Sequence, residues 1–160
     1  MVPRLIPYFF RSASVLLIIT GAAKIISGFG SAKILDQSDP VFGFSMRDLF
    51  WIVGIMEAGV ALACAFCRSI GLRAALVAWL ASSFVLYRLA LIWVGYQKPC
   101  SCLGNLTDAL HISPQAADIG LKVVLAYFLV GGYGTLAWLW MRADSSQRGN
   151  VAEAPIPAGS

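Results

Sequence analysis

Charge is what this sequence is short of. Of its 160 residues only 12% are Asp, Glu, Lys or Arg, where a soluble globular protein carries roughly 25%. Histidine occurs once, as His111, and the chain holds no nucleic-acid motif, no Gly-rich phosphate-binding loop and no long internal repeat. These absences exclude a soluble domain with an ordinary charged surface. They also leave the formal net charge of +4 without a nucleic acid to answer it. What fills the chain instead is hydrocarbon: 59% of residues are hydrophobic and the mean hydropathy is +0.76. A membrane-spanning helix needs about 20 mostly apolar residues, because lipid offers no partner to an unpaired backbone group. The length therefore allows about four spans with modest loops, in one domain.

The spans fall at about 5–28, 48–67, 72–95 and 115–141. They predict an all-α membrane protein, an antiparallel four-helix bundle over 1–141 followed by a disordered, polar tail over 142–160 that contains Pro155 and Pro157. A cleavable signal peptide is the rival reading of the first span, with small residues at Gly21-Ala22-Ala23. Lys24-Ile25-Ile26, however, continues the helical pattern past that point. Asp48 is the expected N-cap of the second span, and Ser113 with Pro114 opens the fourth. Arg68-Ser69-Ile70-Gly71 is so short a connection that it makes its two helices neighbours. Arg4, Arg11, Arg68, Arg73, Arg142 and Arg148 flank one side. Lys33, Arg47 and Lys98 lie on the other, diluted by Asp36, Asp39, Asp48, Asp108 and Asp118. That bias predicts cytoplasmic termini and outward-facing long loops in a bacterial inner membrane.

Four charged residues interrupt the apolar spans, one on each: Lys24, Glu57, Arg88 and Lys122. Such a residue costs at least about 2.5–3.5 kcal/mol on insertion scales, so it usually faces the bundle interior and pairs. All four map to the outer half of the bilayer, and a bundle brings them together as one buried polar cluster. Glu57 is then the only acid among three bases. The excess positive charge has two outlets: a lysine that sheds its proton, or an anionic or carbonyl-bearing ligand. The plainer reading pairs Glu57 with Arg88 to fix helix register and lets Lys24 and Lys122 snorkel outward.

The second long loop carries Lys98-Pro99-Cys100-Ser101-Cys102-Leu103-Gly104-Asn105. Two cysteines at a helix end on an oxidising side are a redox pair, a structural or intermolecular disulfide, two metal ligands or two unpaired thiols. A disulfide across one intervening residue closes a very small ring with poor geometry, and strain makes it a better oxidant than staple. A metal set is short of ligands even with His111. Cys64-Ala65-Phe66-Cys67 has the spacing of a thioredoxin-like motif but lacks its strand-to-helix context; small apolar cysteines packed in a helix is the expectation there. Gly131-Gly132 and Gly134 are expected to permit close helix packing.

Gly21-Ala22-Ala23-Lys24, Glu57-Ala58-Gly59 and Cys100-Ser101-Cys102-Leu103-Gly104, in that order across four spans, resemble the MauE-type branch of the DoxX-like membrane proteins. The resemblance covers nearly the whole chain to about Met141. Its commonest cysteine element has Phe where this chain has Leu103. It implies a helper from methylamine utilisation systems, associated with forming or supporting the disulfides of a periplasmic dehydrogenase subunit. The general plan is also similar to small four-helix thiol oxidoreductases that hand electrons to quinone, although a second outward cysteine pair is lacking here. The expectation is a thiol–disulfide helper with Cys100 and Cys102 as catalytic residues above the Lys24/Glu57/Arg88/Lys122 cluster. It serves an exported client protein in contact with membrane lipid, with a quinone or a partner redox protein as acceptor. The rival is a non-catalytic subunit of a larger membrane complex, its cysteines stapling a loop.

Overall fold

The computed structural model describes residues 2–30, 33–36, 38–95 and 114–152. Four long helices form a bundle: α1 (Val2–Gly28), α2 (Met46–Phe66), α3 (Ile70–Trp93) and α4 (Pro114–Ala152). A short 3₁₀ turn, Lys33–Asp36, lies between α1 and α2. Among the described residues there is no strand, only an isolated bridge between Ser38 and Ser45. Each helix holds a stretch long and apolar enough to cross a membrane: Leu5–Gly28, Met46–Phe66, Ile70–Trp93 and Asp118–Ser145. By length and composition the chain is a multi-pass membrane protein.

Helix ends are set by local chemistry, and two differ from expectation. Ser45, not Asp48, caps α2: its extended backbone turns the hydroxyl to accept from the Asp48 N–H at 3.2 Å. The same hydroxyl donates to Asp48 Oδ2 at 2.6 Å, so Asp48 serves the cap from inside the first turn. Ser45 wins because the preceding loop already holds it extended, with Asp39 N–H donating to Phe44 O at 2.7 Å. At the other end of the chain, α4 continues to Ala152. Residues 142–152 are thus helical, not the disordered tail expected of them. Ala143, Gln147 and Arg148 are serviceable helix formers, and the first proline beyond Pro114 is Pro155. Ser69 caps α3 by accepting from Leu72 N–H, which starts that helix at Ile70.

Packing between the helices depends on small residues. Gly21 of α1 meets Gly54 of α2 so closely that a Cβ on Gly21 would lie 3.1 Å from Gly54 O and 3.3 Å from Glu57 Cβ. A Cβ on Gly54 would sit 2.8 Å from Ile25 Cγ1. Further along the same interface Ser14 donates to Ala61 O at 2.9 Å, and Gly28 fits against the Trp51 indole. Gly132 of α4 packs on the Ala78 backbone of α3, and Gly131 seats the Phe9 ring. Gly134 faces open space and packs on nothing within 4 Å, so Gly131 and Gly132 act as expected and Gly134 does not. The buried core runs through Phe10, Ala13, Leu17, Val60, Ala61, Cys64, Val77, Leu80 and Phe128. Cys64 is part of it, Cys67 is half-buried at the end of α2, and both are free thiols. Outward-facing Ile18, Ile55, Leu62, Leu89 and Val130 present hydrocarbon to hydrocarbon.

Gly54→Ala is expected to lower bundle stability by about 1–3 kcal/mol, the usual cost of overpacking a tight contact. Gly59→Ala, on the same helix but with nothing within 4 Å, is expected to be neutral or to stabilise by up to about 1 kcal/mol through helix propensity. Thermal unfolding of the two variants in detergent micelles decides it: equal midpoints would remove the close crossing from the account.

Candidate functional site

One turn beyond the Gly21–Gly54 contact, on the same faces of the same helices, stand Lys24 and Glu57. Residues three apart on a helix are neighbours, so two glycines that let the backbones touch also bring these two side chains together. Lys24 Nζ donates to both carboxylate oxygens of Glu57, at 2.7 and 2.9 Å. The pair is deeply buried, Lys24 being 6% and Glu57 2% exposed. Lys24 therefore does not snorkel outward, and the acid's partner is Lys24, not Arg88. The Lys24 ammonium also lies 5.8 Å from the centroid of the Phe84 ring, a favourable seat for a cation over a π face.

Arg88 has a different partner, Asp118, one of the acids expected to dilute the charge of the outer loops. Its Nη2 donates to Asp118 Oδ1, joining α3 to α4, and Lys122 Nζ approaches Asp118 Oδ2 at 2.7 Å from one turn further along α4. The side chain of Lys122 is 61% exposed, so it is not part of a buried cluster. The expected group of four is two separate ion-paired sets, Lys24/Glu57 and Arg88/Asp118/Lys122. Asp118 had a sequence signal, an acid four residues before a lysine on one helix.

Lys24, Glu57 and Arg88 share a cavity of about 80 Å³, several times the ~10–15 Å³ that one water needs. All four helices contribute to it: Thr20 from α1, Phe84 and Tyr87 from α3, and Leu121, Val124, Leu125 and Phe128 from α4 complete the wall. The lining is apolar apart from a few convergent polar groups, the usual make-up of a small-molecule site.

Tyr87 links this cavity to the first loop. Its hydroxyl donates to Asp39 Oδ2, while Asp39 Oδ1 accepts from Val41 N–H at 2.9 Å and Phe42 N–H at 2.8 Å. Asp39 is only 1% exposed and is held by three donors, as a buried carboxylate must be. The Phe42 ring stacks on Tyr87 with an interplanar angle of 1° and centroids 5.9 Å apart. Asp39 and Tyr87 carried no sequence signal, since a loop aspartate before a proline reads as turn chemistry alone.

Cys100, Cys102, Lys98 and His111 lie outside the described residues. What is described are the anchors of their segment: α3 ends at Trp93, α4 begins at Pro114, and the Arg88–Asp118 pair ties the two together. Among the described residues no three His, Cys, Asp or Glu side chains gather as a metal site.

Lys24→Met leaves a buried carboxylate without its cation and is expected to cost about 3–5 kcal/mol of stability. The double variant Lys24→Met/Glu57→Met is expected to cost less than either single change. Thermal denaturation of the set in micelles reads the coupling, and additive losses would show that the pair does not act as a unit.

No protein-family model, curated protein or solved structure matches the chain, so a functional reading rests on this geometry and on the residues that carry it.

Proposed function

We propose that this chain is a MauE-like thiol–disulfide helper of a bacterial inner membrane, built as a DoxX-like antiparallel four-helix bundle with both termini in the cytoplasm. In this reading it supports disulfide formation or maturation of an exported client protein. The observation that carries the proposal is the shared cavity: Lys24, Glu57 and Arg88 wall it from three helices, and Arg88 and Asp118 tie together the two helices from which the Cys100/Cys102 segment departs. An antiparallel course is supported by contacts that pair early residues of one helix with late residues of the next. On α1 and α2 these are Ser14 with Ala61 and Gly28 with Trp51. On α3 and α4 they are Gly71 with Leu139 and Arg88 with Asp118.

The proposed reaction begins with a client thiolate attacking one sulfur of a Cys100–Cys102 disulfide. The S–S bond breaks, a mixed disulfide forms, and the other cysteine leaves as a thiolate favoured by the nearby Lys98 charge. A second client thiolate then displaces the bound sulfur. The client departs oxidised and Cys100 and Cys102 remain as a dithiol. Restoring their disulfide releases two electrons and two protons, to a quinone or a partner redox protein. A quinone in the cavity would supply a two-electron, two-proton acceptor. Arg88 would hold its carbonyl, and Phe84 and Phe128 would flank its ring.

Labelling of intact cells with a membrane-impermeant thiol reagent tests this reading in a Cys64→Ser/Cys67→Ser background. Labelling at Cys100 and Cys102 is expected from outside, and only after mild reduction. Cys100→Ser or Cys102→Ser is expected to trap a client in a mixed disulfide. Labelling solely from the cytoplasmic side, or a pair that resists reduction, would sink the mechanism.

A further inference from the structure

Among the described residues, the excess of positive charge expected beneath the loops is offset by acids outside the expected group of four, Asp118 and Asp39. Lys24 is cancelled by Glu57 through two hydrogen bonds, and Arg88 by Asp118. Behind Tyr87 stands a further negative group, the buried carboxylate of Asp39. Lys122 spends its charge on Asp118, is mostly exposed and does not line the cavity. Among the described residues, the charged groups at the cavity wall together with their partners comprise three bases, Lys24, Arg88 and Lys122, and three acids, Glu57, Asp118 and Asp39, so no charge is left over. An anion entering such a cavity would lose its hydration and, among the described residues, meet no unspent cation, a cost that pairing alone could offset. A neutral molecule avoids that cost and still finds donors, because Arg88 carries five N–H groups and among the described residues its guanidinium has one acceptor, Asp118. Asp118 is also a pivot: with its charge removed, Arg88 would face the cavity as an unneutralised cation.

We infer that the cavity between the four helices binds an uncharged, carbonyl-bearing, lipid-soluble molecule and rejects anions, and that Asp118 is the residue that sets this choice. The sequence leaves anionic and carbonyl-bearing ligands open; the pairing in the folded chain selects between them. The carbonyl meets Arg88, the ring or chain lies among Phe84, Leu121, Val124 and Phe128, and Tyr87 borders the site with its hydroxyl fixed by Asp39. Asp118 acts through Arg88 and is a positioning and selectivity residue, not a catalytic one. This assignment builds on the cavity proposed above as an acceptor site, but not on any chemistry at Cys100 and Cys102.

The test uses the full chain in lipid nanodiscs and two flat single-ring probes of nearly equal shape: dimethylbenzoquinone, which is neutral, and the analogue in which a ring hydroxyl replaces one methyl, an anion at neutral pH. Binding is measured by equilibrium dialysis, with partition into empty nanodiscs subtracted. Wild type is expected to bind the neutral probe at least about tenfold tighter than the anion, a difference of ~1.4 kcal/mol. Asp118→Asn is expected to move the ratio by about tenfold or more toward the anion, a gain that misfolding cannot produce. Arg88→Gln/Asp118→Asn removes both charges and is expected to restore the neutral preference. Tyr133→Phe loses a hydroxyl bonded to Ser82 outside the cavity and is expected to leave both affinities unchanged. Equal binding of the two probes by wild type, or an unchanged ratio in Asp118→Asn, overturns the inference. If neither probe binds above empty nanodiscs, the cavity assignment fails as well, whereas the thiol mechanism is judged separately by external labelling of Cys100 and Cys102.

Discussion

A charge in hydrocarbon must be paired, and a pair must be brought within hydrogen-bonding distance by backbone that can get close enough. Lys24 and Glu57 meet that requirement only because Gly21 and Gly54 carry no side chains. The helix axes approach until the Gly54 carbonyl stands 3.1 Å from where a Cβ of Gly21 would be, and the two ionic side chains close one turn later. Most of the site depends on this arrangement. Closing the pair on α1 and α2 fixes one wall of the cavity, and Phe84 of α3 then seats the ammonium from the opposite side. The burial of two opposite charges is weak evidence for net stability, since desolvation consumes most of their attraction. Its stronger consequence is register: a slip of one residue along α1 or α2 would strand both groups.

The second ion-paired set solves a different problem. Arg88 and Asp118 lie on the helices that bracket the segment 96–113, and their side chains are only about one-fifth exposed, 23% and 21%. Partial exposure lowers the desolvation cost, and the bidding of two cations for one carboxylate holds Asp118 in place from both sides. Lys122, the most exposed member of that triad, holds the second oxygen of the same carboxylate from one turn further along α4. The bundle therefore keeps one ion pair as an internal strut and one as a clasp between helices.

Spans and their order were legible because a run of apolar residues at bilayer length has few other uses. The charges that interrupt the spans were legible for the same reason, and Lys24, Glu57 and Arg88 do border one cavity. Which charge pairs with which was not legible. That choice depends on the rotation of each helix about its axis, and the rotation is set by contacts such as Gly28 on Trp51 and Gly132 on Ala78, which no periodicity records when every face of a helix is apolar. The cap of α2 was misplaced for a related reason. Ser45 and Asp48 are both good cap residues, and the choice was made by a loop already pinned through Asp39. The end of α4 lies beyond the expected one because polarity alone does not end a helix, and no proline interrupts residues 142–152.

Asp39 shows why a short loop in a membrane protein can be as constrained as a helix. A loop at the bundle end carries backbone N–H groups that need acceptors, and those of Val41 and Phe42 find theirs in a single carboxylate. Once two donors are spent on Oδ1, the second oxygen still needs a partner, and Tyr87 supplies it from inside the bundle. The loop and the cavity are thereby parts of one hydrogen-bonded unit, with Phe42 stacked over the same tyrosine. Any rearrangement of α3 that turned Tyr87 away would leave a buried carboxylate short of a donor, at a cost of about 1–3 kcal/mol or more for a charged group. The first loop is thus tied to α3 through Tyr87, one residue before the Arg88 that ties α3 to α4.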